Sequence, residues 1–149
     1  MGTEALAEYE LLIKAISRRP HYRDSTLLEA EHGSMLSESA GSCILHTHVN
    51  VMPGLAHHAT MFDGVLPLIG EYKDLTAVSD LRQPYIYLRG GTESARFYCG
   101  KNIPSQLIRK QICDKEKRAD WDWAVFPKPE WVSETVRMWP DGETCEETA

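Results

Sequence analysis

Three residues at alternate positions carry the chemistry most open to interpretation in this chain. They are His46, His48 and Asn50, in the stretch "CILHTHVNVMPG" that begins at Cys43. The chain has six histidines, and two of them stand one residue apart here. On a strand, alternate residues share a face, so the three polar groups project in a row, about 6.5–7 Å from one to the next. Thr47, Val49 and Val51 then turn the other way, toward a core. Imidazole can attack an electrophile, take up a proton or bind a metal. An amide can only donate and accept hydrogen bonds at neutral pH.

Three readings of the histidine pair fit the residues alone. Both rings can face solvent on a half-exposed strand. They can share a metal ion, with His32, His57, His58 or Asp63 as a third ligand. Or one imidazole can act as a nucleophile on phosphorus.

The elements around the pair follow from periodicity. Ala5, Leu6, Tyr9, Leu12, Ile13 and Ile16 recur at steps of three and four, which predicts a helix that ends before Pro20. "TLLEAEHG" reads as a short strand closed by Gly33, and "SMLSESAGS" as a loop of small polar residues. The run from Cys43 is rich in Val and Ile, alternates, and is stopped by Pro53-Gly54, so it reads as a strand. Residues 55–82 show no clear period. "PYIYLRGG" and "ARFYCG" read as a hairpin by pattern, joined through a Gly-Gly connection. "IPSQLIRKQICDKEKR" predicts a helix with Leu107, Ile108, Ile112 and Cys113 on one face. A last helix is expected from Pro129 to Trp139, with Trp131 and Trp139 on its apolar side, and residues 141–149 read as a flexible tail. Strands flanked by helices define an α+β domain over residues 1–140.

Bulk properties narrow the function. A net charge of −6 disfavours a broad phosphate-backbone footprint, so no nucleic-acid partner is expected. The acidic N-terminus has no apolar signal-peptide core, and no run approaches the roughly 18 apolar residues of a membrane span. The four cysteines include no Cys-x-x-Cys pair, which fits reduced thiols and a cytoplasmic location.

From Glu31-His32-Gly33, through the small-residue loop and His46-Thr-His48-Val-Asn50-Val-Met, to Pro53, the chain resembles the histidine-triad superfamily of nucleotide hydrolases and transferases. The resemblance extends to a bacterial-type subgroup. Its further marks are a Tyr-rich strand (here Pro84 to Leu88), a Pro-Ser-Gln helix start with a following Arg (Pro104 to Gln106, with Arg109) and a Trp-Asp-Trp element (Trp121 to Trp123). These stretches keep the same order over roughly residues 27–139. The third triad position is Asn50 rather than His; in the transferase branch this place holds Gln, another neutral amide.

The resemblance implies a histidine-triad-like antiparallel sheet flanked by helices. It implies a nucleotide-like substrate and His48 as the nucleophile on the α-phosphorus, giving a covalent phosphoramidate. His46 and Asn50 then hold the phosphoryl oxygens from either side. Gly41, Ser42 and Cys43 belong to a loop whose N–H groups meet phosphoryl charge. His32 stands where the superfamily often has an Asn in contact with the active site, and Gln106 and Arg109 lie at a helix start suited to anions. No cofactor and no metal are required. The first strands typical of the superfamily are expected to be missing here. A homodimer, or a partner chain completing the sheet, is therefore expected. Two other function classes compete: a non-catalytic nucleotide-binding or partner module, and a metal-dependent hydrolase or cupin-like oxygenase built on His46 and His48.

Overall fold

The computed structural model describes residues 3–19, 22, 26–33, 48–81, 83–104, 106–120, 122 and 125. Among these, helix α1 (Thr3–Arg18) precedes strand β1 (Leu27–Gly33). Strand β2 (Asn50–Pro53), a 3-10 turn (Ala56–His58) and strand β3 (Leu68–Tyr72) follow. A second 3-10 segment (Leu75–Asp80), the hairpin β4 (Tyr85–Gly90) and β5 (Ala95–Cys99), and helix α2 (Leu107–Lys115) complete the described part. The fold class is α+β, as expected. The predicted helix from Pro129 and the tail lie outside the described residues.

The five strands form one antiparallel sheet in the order β2-β1-β4-β5-β3. β1 and β4 occupy its centre and pair from Leu28 opposite Gly90 to Gly33 opposite Tyr85. Both faces are covered. On one face Leu28, Ala30, Ile86, Leu88 and Tyr98 pack with Phe62, Met61 and Ile112 of α2. On the other face Tyr85, Tyr87 and Phe97 pack with Leu75, Val78 and Leu81. Burial on both faces explains why "LLEAEHG" is a strand despite weak alternation of polarity: its two glutamates point inward.

Those glutamates are satisfied rather than solvated. Glu29 is 1% exposed. Its carboxylate accepts from Arg89 Nε at 2.9 Å, from the Tyr87 hydroxyl at 2.9 Å and from the Tyr9 hydroxyl of α1. Arg89 also donates to Glu10 of α1 at 3.0 Å. A buried charge persists only when paired and hydrogen-bonded in this way. Helix α1 therefore meets the sheet through a polar network, and the expected apolar stripe is only partly used: Leu12, placed in that stripe by periodicity, is 55% exposed.

Two further details differ from the sequence pattern. Helix α2 begins at Leu107 rather than near Pro104, because Gln106 adopts a left-handed backbone, φ 64°, that cannot extend the helix backward. In β3 the register shifts between Leu68 and Gly70, so no period of two survives in that stretch. No helix of the described residues is long and apolar enough to cross a membrane.

Candidate functional site

Strand β2 starts only at Asn50, so His48 and Val49, expected within a strand, lie just before it; His48 and Asn50 are both exposed, and β2 is an edge strand among the described residues. Asn50 pairs with Ala30 and Met52 with Leu28, so the alternate residues of β2 share the face of the Phe62 cluster. His32 is opposite Ile86 and belongs to the same face of β1. The structure thus places Asn50 and His32 on one sheet face, while His48, just before β2 at the same end of the sheet, bonds through its main chain to Glu31, whose side chain lies on the opposite face with Tyr85. His46, Gly41, Ser42 and Cys43 lie outside the described residues.

A group that sequence reading did not single out fixes the start of this strand. The main-chain N–H of His48 donates to Glu31 Oε1 at 2.7 Å. The Tyr85 hydroxyl donates to Glu31 Oε2 at 2.9 Å. Glu31 is 1% exposed. Burial pushes its carboxyl above the ordinary 4.5, against the pull of the His48 N–H and the Tyr85 hydroxyl. Gly33 makes room for this arrangement, since a Cβ there would stand 2.5 Å from the Tyr85 hydroxyl. A glutamate in a strand reads as solvent-facing from sequence; only the sheet order reveals it as an anchor beneath the candidate nucleophile.

The remaining candidates are distributed. The Asn50 amide reaches the Ala30 carbonyl at 3.4 Å, a weak bond that leaves its other donor and its oxygen for other partners. Burial lowers His32 below its ordinary 6.5, against a hydrogen bond to the Gly100 backbone, so a neutral imidazole is favoured near pH 7. Gln106 precedes α2, and its side-chain Oε1 is buried with no hydrogen-bond partner among the described residues. Arg109 donates to the Asp120 carbonyl at 3.3 Å.

The residues weighed as a third metal ligand beside His48 separate in space. Asp63 accepts from Arg96 and from the Tyr98 hydroxyl, each at 2.6 Å. His57 and His58 follow β2 at its opposite end and face Glu116. Only His32 shares an end of the sheet with His48. No protein-family model matches the chain, and no curated protein and no solved structure matches it at a significant level.

Proposed function

We propose that the chain is a histidine-triad-like nucleotide hydrolase or nucleotidyltransferase working through a covalent nucleotidyl-His48 intermediate. The observation that supports this reading is an exposed His48 just before an edge strand that opens with Asn50, its main chain tied to a buried carboxylate. A nucleophile needs access on one side and a fixed backbone on the other. The order of motifs in the sequence adds the substrate class, a nucleotidyl phosphoanhydride or phosphoramidate. The setting that goes with this reading is cytoplasmic, and the free thiols of Cys99 and Cys113 are in keeping with it.

In the first step an imidazole nitrogen of His48 attacks the α-phosphorus. A P–N bond forms as the bond from phosphorus to the leaving group breaks, and that electron pair departs with the leaving group. In the second step water or an acceptor oxygen forms a new P–O bond. The P–N bond breaks, its pair returns to the imidazole, and the proton of the attacking group passes to solvent. Asn50 holds phosphoryl oxygen by its amide but supplies no proton. Leaving groups that depart without protonation, such as a phosphate in a phosphoanhydride, are therefore favoured over amines.

The test is intact-mass spectrometry after mixing the protein with dinucleoside polyphosphates and with nucleoside phosphoramidates. The expected result is a nucleotidyl adduct on the wild type, with no adduct and no turnover in His48→Ala, and residual turnover in His46→Ala. Tight nucleotide binding without adduct or turnover would instead favour a non-catalytic binding module. Equal, mild losses in both variants would return the pair to ordinary surface histidines.

A further inference from the structure

At the far end of β2 from His48, three ligand atoms converge that the proposed chemistry does not use. His57 and His58 occupy the end of the 3-10 turn after β2, and Glu116 caps the C-terminal end of α2. His58 Nε2 lies 2.6 Å from Glu116 Oε1, and His57 Nε2 lies 3.4 Å from the same oxygen. One nitrogen from each ring and one carboxylate oxygen all fall within 4.8 Å of one another. The two rings are 4.0 Å apart between centroids, inclined at 45°.

We propose that His57, His58 and Glu116 bind a divalent metal ion of the zinc class, joining the turn after β2 to the end of α2. Two imidazole nitrogens and a carboxylate oxygen are a typical zinc donor set, and they leave a fourth position for water or another ligand. Bond lengths near 2.0–2.2 Å in a tetrahedron separate donors by roughly 3.3–3.5 Å. The His57–Glu116 separation of 3.4 Å already has this value, and the His58–Glu116 contact of 2.6 Å needs to open by under ~1 Å.

The electrostatics favour a cation at this point. Glu116 sits where the α2 dipole is negative, an unfavourable place for a carboxylate without a positive partner. One shared proton satisfies His58 and Glu116 but leaves the second ring at a longer approach to the same oxygen. Protonating both rings sets two like charges 4.0 Å apart. One divalent ion serves both neutral rings and the carboxylate together.

The site is built on firm elements. His58 is 7% exposed, and its neighbours Ala59 and Phe62 share a core cluster with Ile112 of α2. Gly90 lets the turn lie directly on β4: a Cβ there would stand 2.7 Å from the Ala56 carbonyl oxygen. Both halves of the site are thus anchored in one core, which limits the reorganisation that metal binding requires. A histidine doublet and a glutamate 58 residues later give no motif spacing, and only the docking of α2 beside the turn reveals them together.

The experiment uses the full chain, freed of metal by a chelator and then exchanged into chelator-free buffer. Zn²⁺ affinity is measured by competition with a chromophoric chelator, and Co²⁺ binding by its visible absorption. His57→Ala, Glu116→Gln and His48→Ala are compared with the wild type. His57 and Glu116 are exposed, so their replacement leaves the core intact. The expected result is one equivalent of Zn²⁺, weakened at least about tenfold by His57→Ala or Glu116→Gln and unchanged by His48→Ala. Zn²⁺ should also raise the melting temperature of the wild type more than that of Glu116→Gln. Absence of saturable binding would overturn the site. So would binding that survives both substitutions, or binding lost only in His48→Ala, which would move the ion to the histidines of the 46–48 stretch.

Discussion

At the scale of single residues, the candidate site depends on which groups stay neutral. His32 is half-buried near the end of β1, and burial holds its pKa below the ordinary 6.5. The unfolded chain takes up a proton at this residue near pH 6.5, whereas the folded chain resists it. The stability contributed by His32 is therefore complete above about pH 6.5 and lost as pH falls through the lower folded value. Urea midpoints at pH 7.5 and 5.5 check this against His32→Gln, which keeps a hydrogen-bonding side chain but does not titrate. Glu31, which burial shifts in the opposite sense, is common to both proteins and cancels in the comparison. The wild type should lose more stability over the step than the variant. Parallel losses would show that His32 titrates as freely in the folded chain as in the unfolded one.

At the scale of elements, the docking of α1 rests on charge. Arg89 → Met keeps the volume near Glu29 but leaves a carboxylate at 1% exposure with hydroxyl partners only. Stranding one member of such a pair costs about 3–5 kcal/mol, and chemical denaturation monitored by tryptophan fluorescence reads it. A loss under about 1 kcal/mol would mean that the network is solvated. Sequence periodicity identified α1, β1, the β4–β5 hairpin and α2, because each presents an apolar pattern or a turn signal of its own. It failed in residues 55–82, where β3 is an exposed edge strand with an irregular register and both flanking segments are short 3-10 turns. The strand around Asn50 was legible for the same reason, but not its short reach: His48 lies before β2, where its main chain bonds to a side chain of β1 instead of continuing the ladder. Glu31 and Glu116 were not: their partners lie on other elements, and no local pattern marks a carboxylate as an anchor or a ligand.

At the scale of the whole molecule, the sheet formed by the described residues ends in two edge strands, β2 beside the candidate site and β3 on the far side. Leu68 and Tyr72 of β3 are 49% and 39% exposed, and Leu11 of α1 is 66% exposed. Unpaired edges and exposed apolar residues favour association. We expect a homodimer, or a complex in which another chain extends the sheet. Light scattering over a wide concentration range checks this, and a monomer throughout would count against it. The Glu29 network also bears on how this sequence can drift. One carboxylate takes donors from Tyr9, Tyr87 and Arg89, contributed by a helix and a neighbouring strand. Losing any one donor leaves the others facing an undersatisfied charge, whereas exchanging the whole set for well-packed apolar groups can be neutral. The substitutions are therefore epistatic: each is tolerated only in company, and the centre of β1 changes in coordinated steps while the exposed strand edges are free to vary one residue at a time.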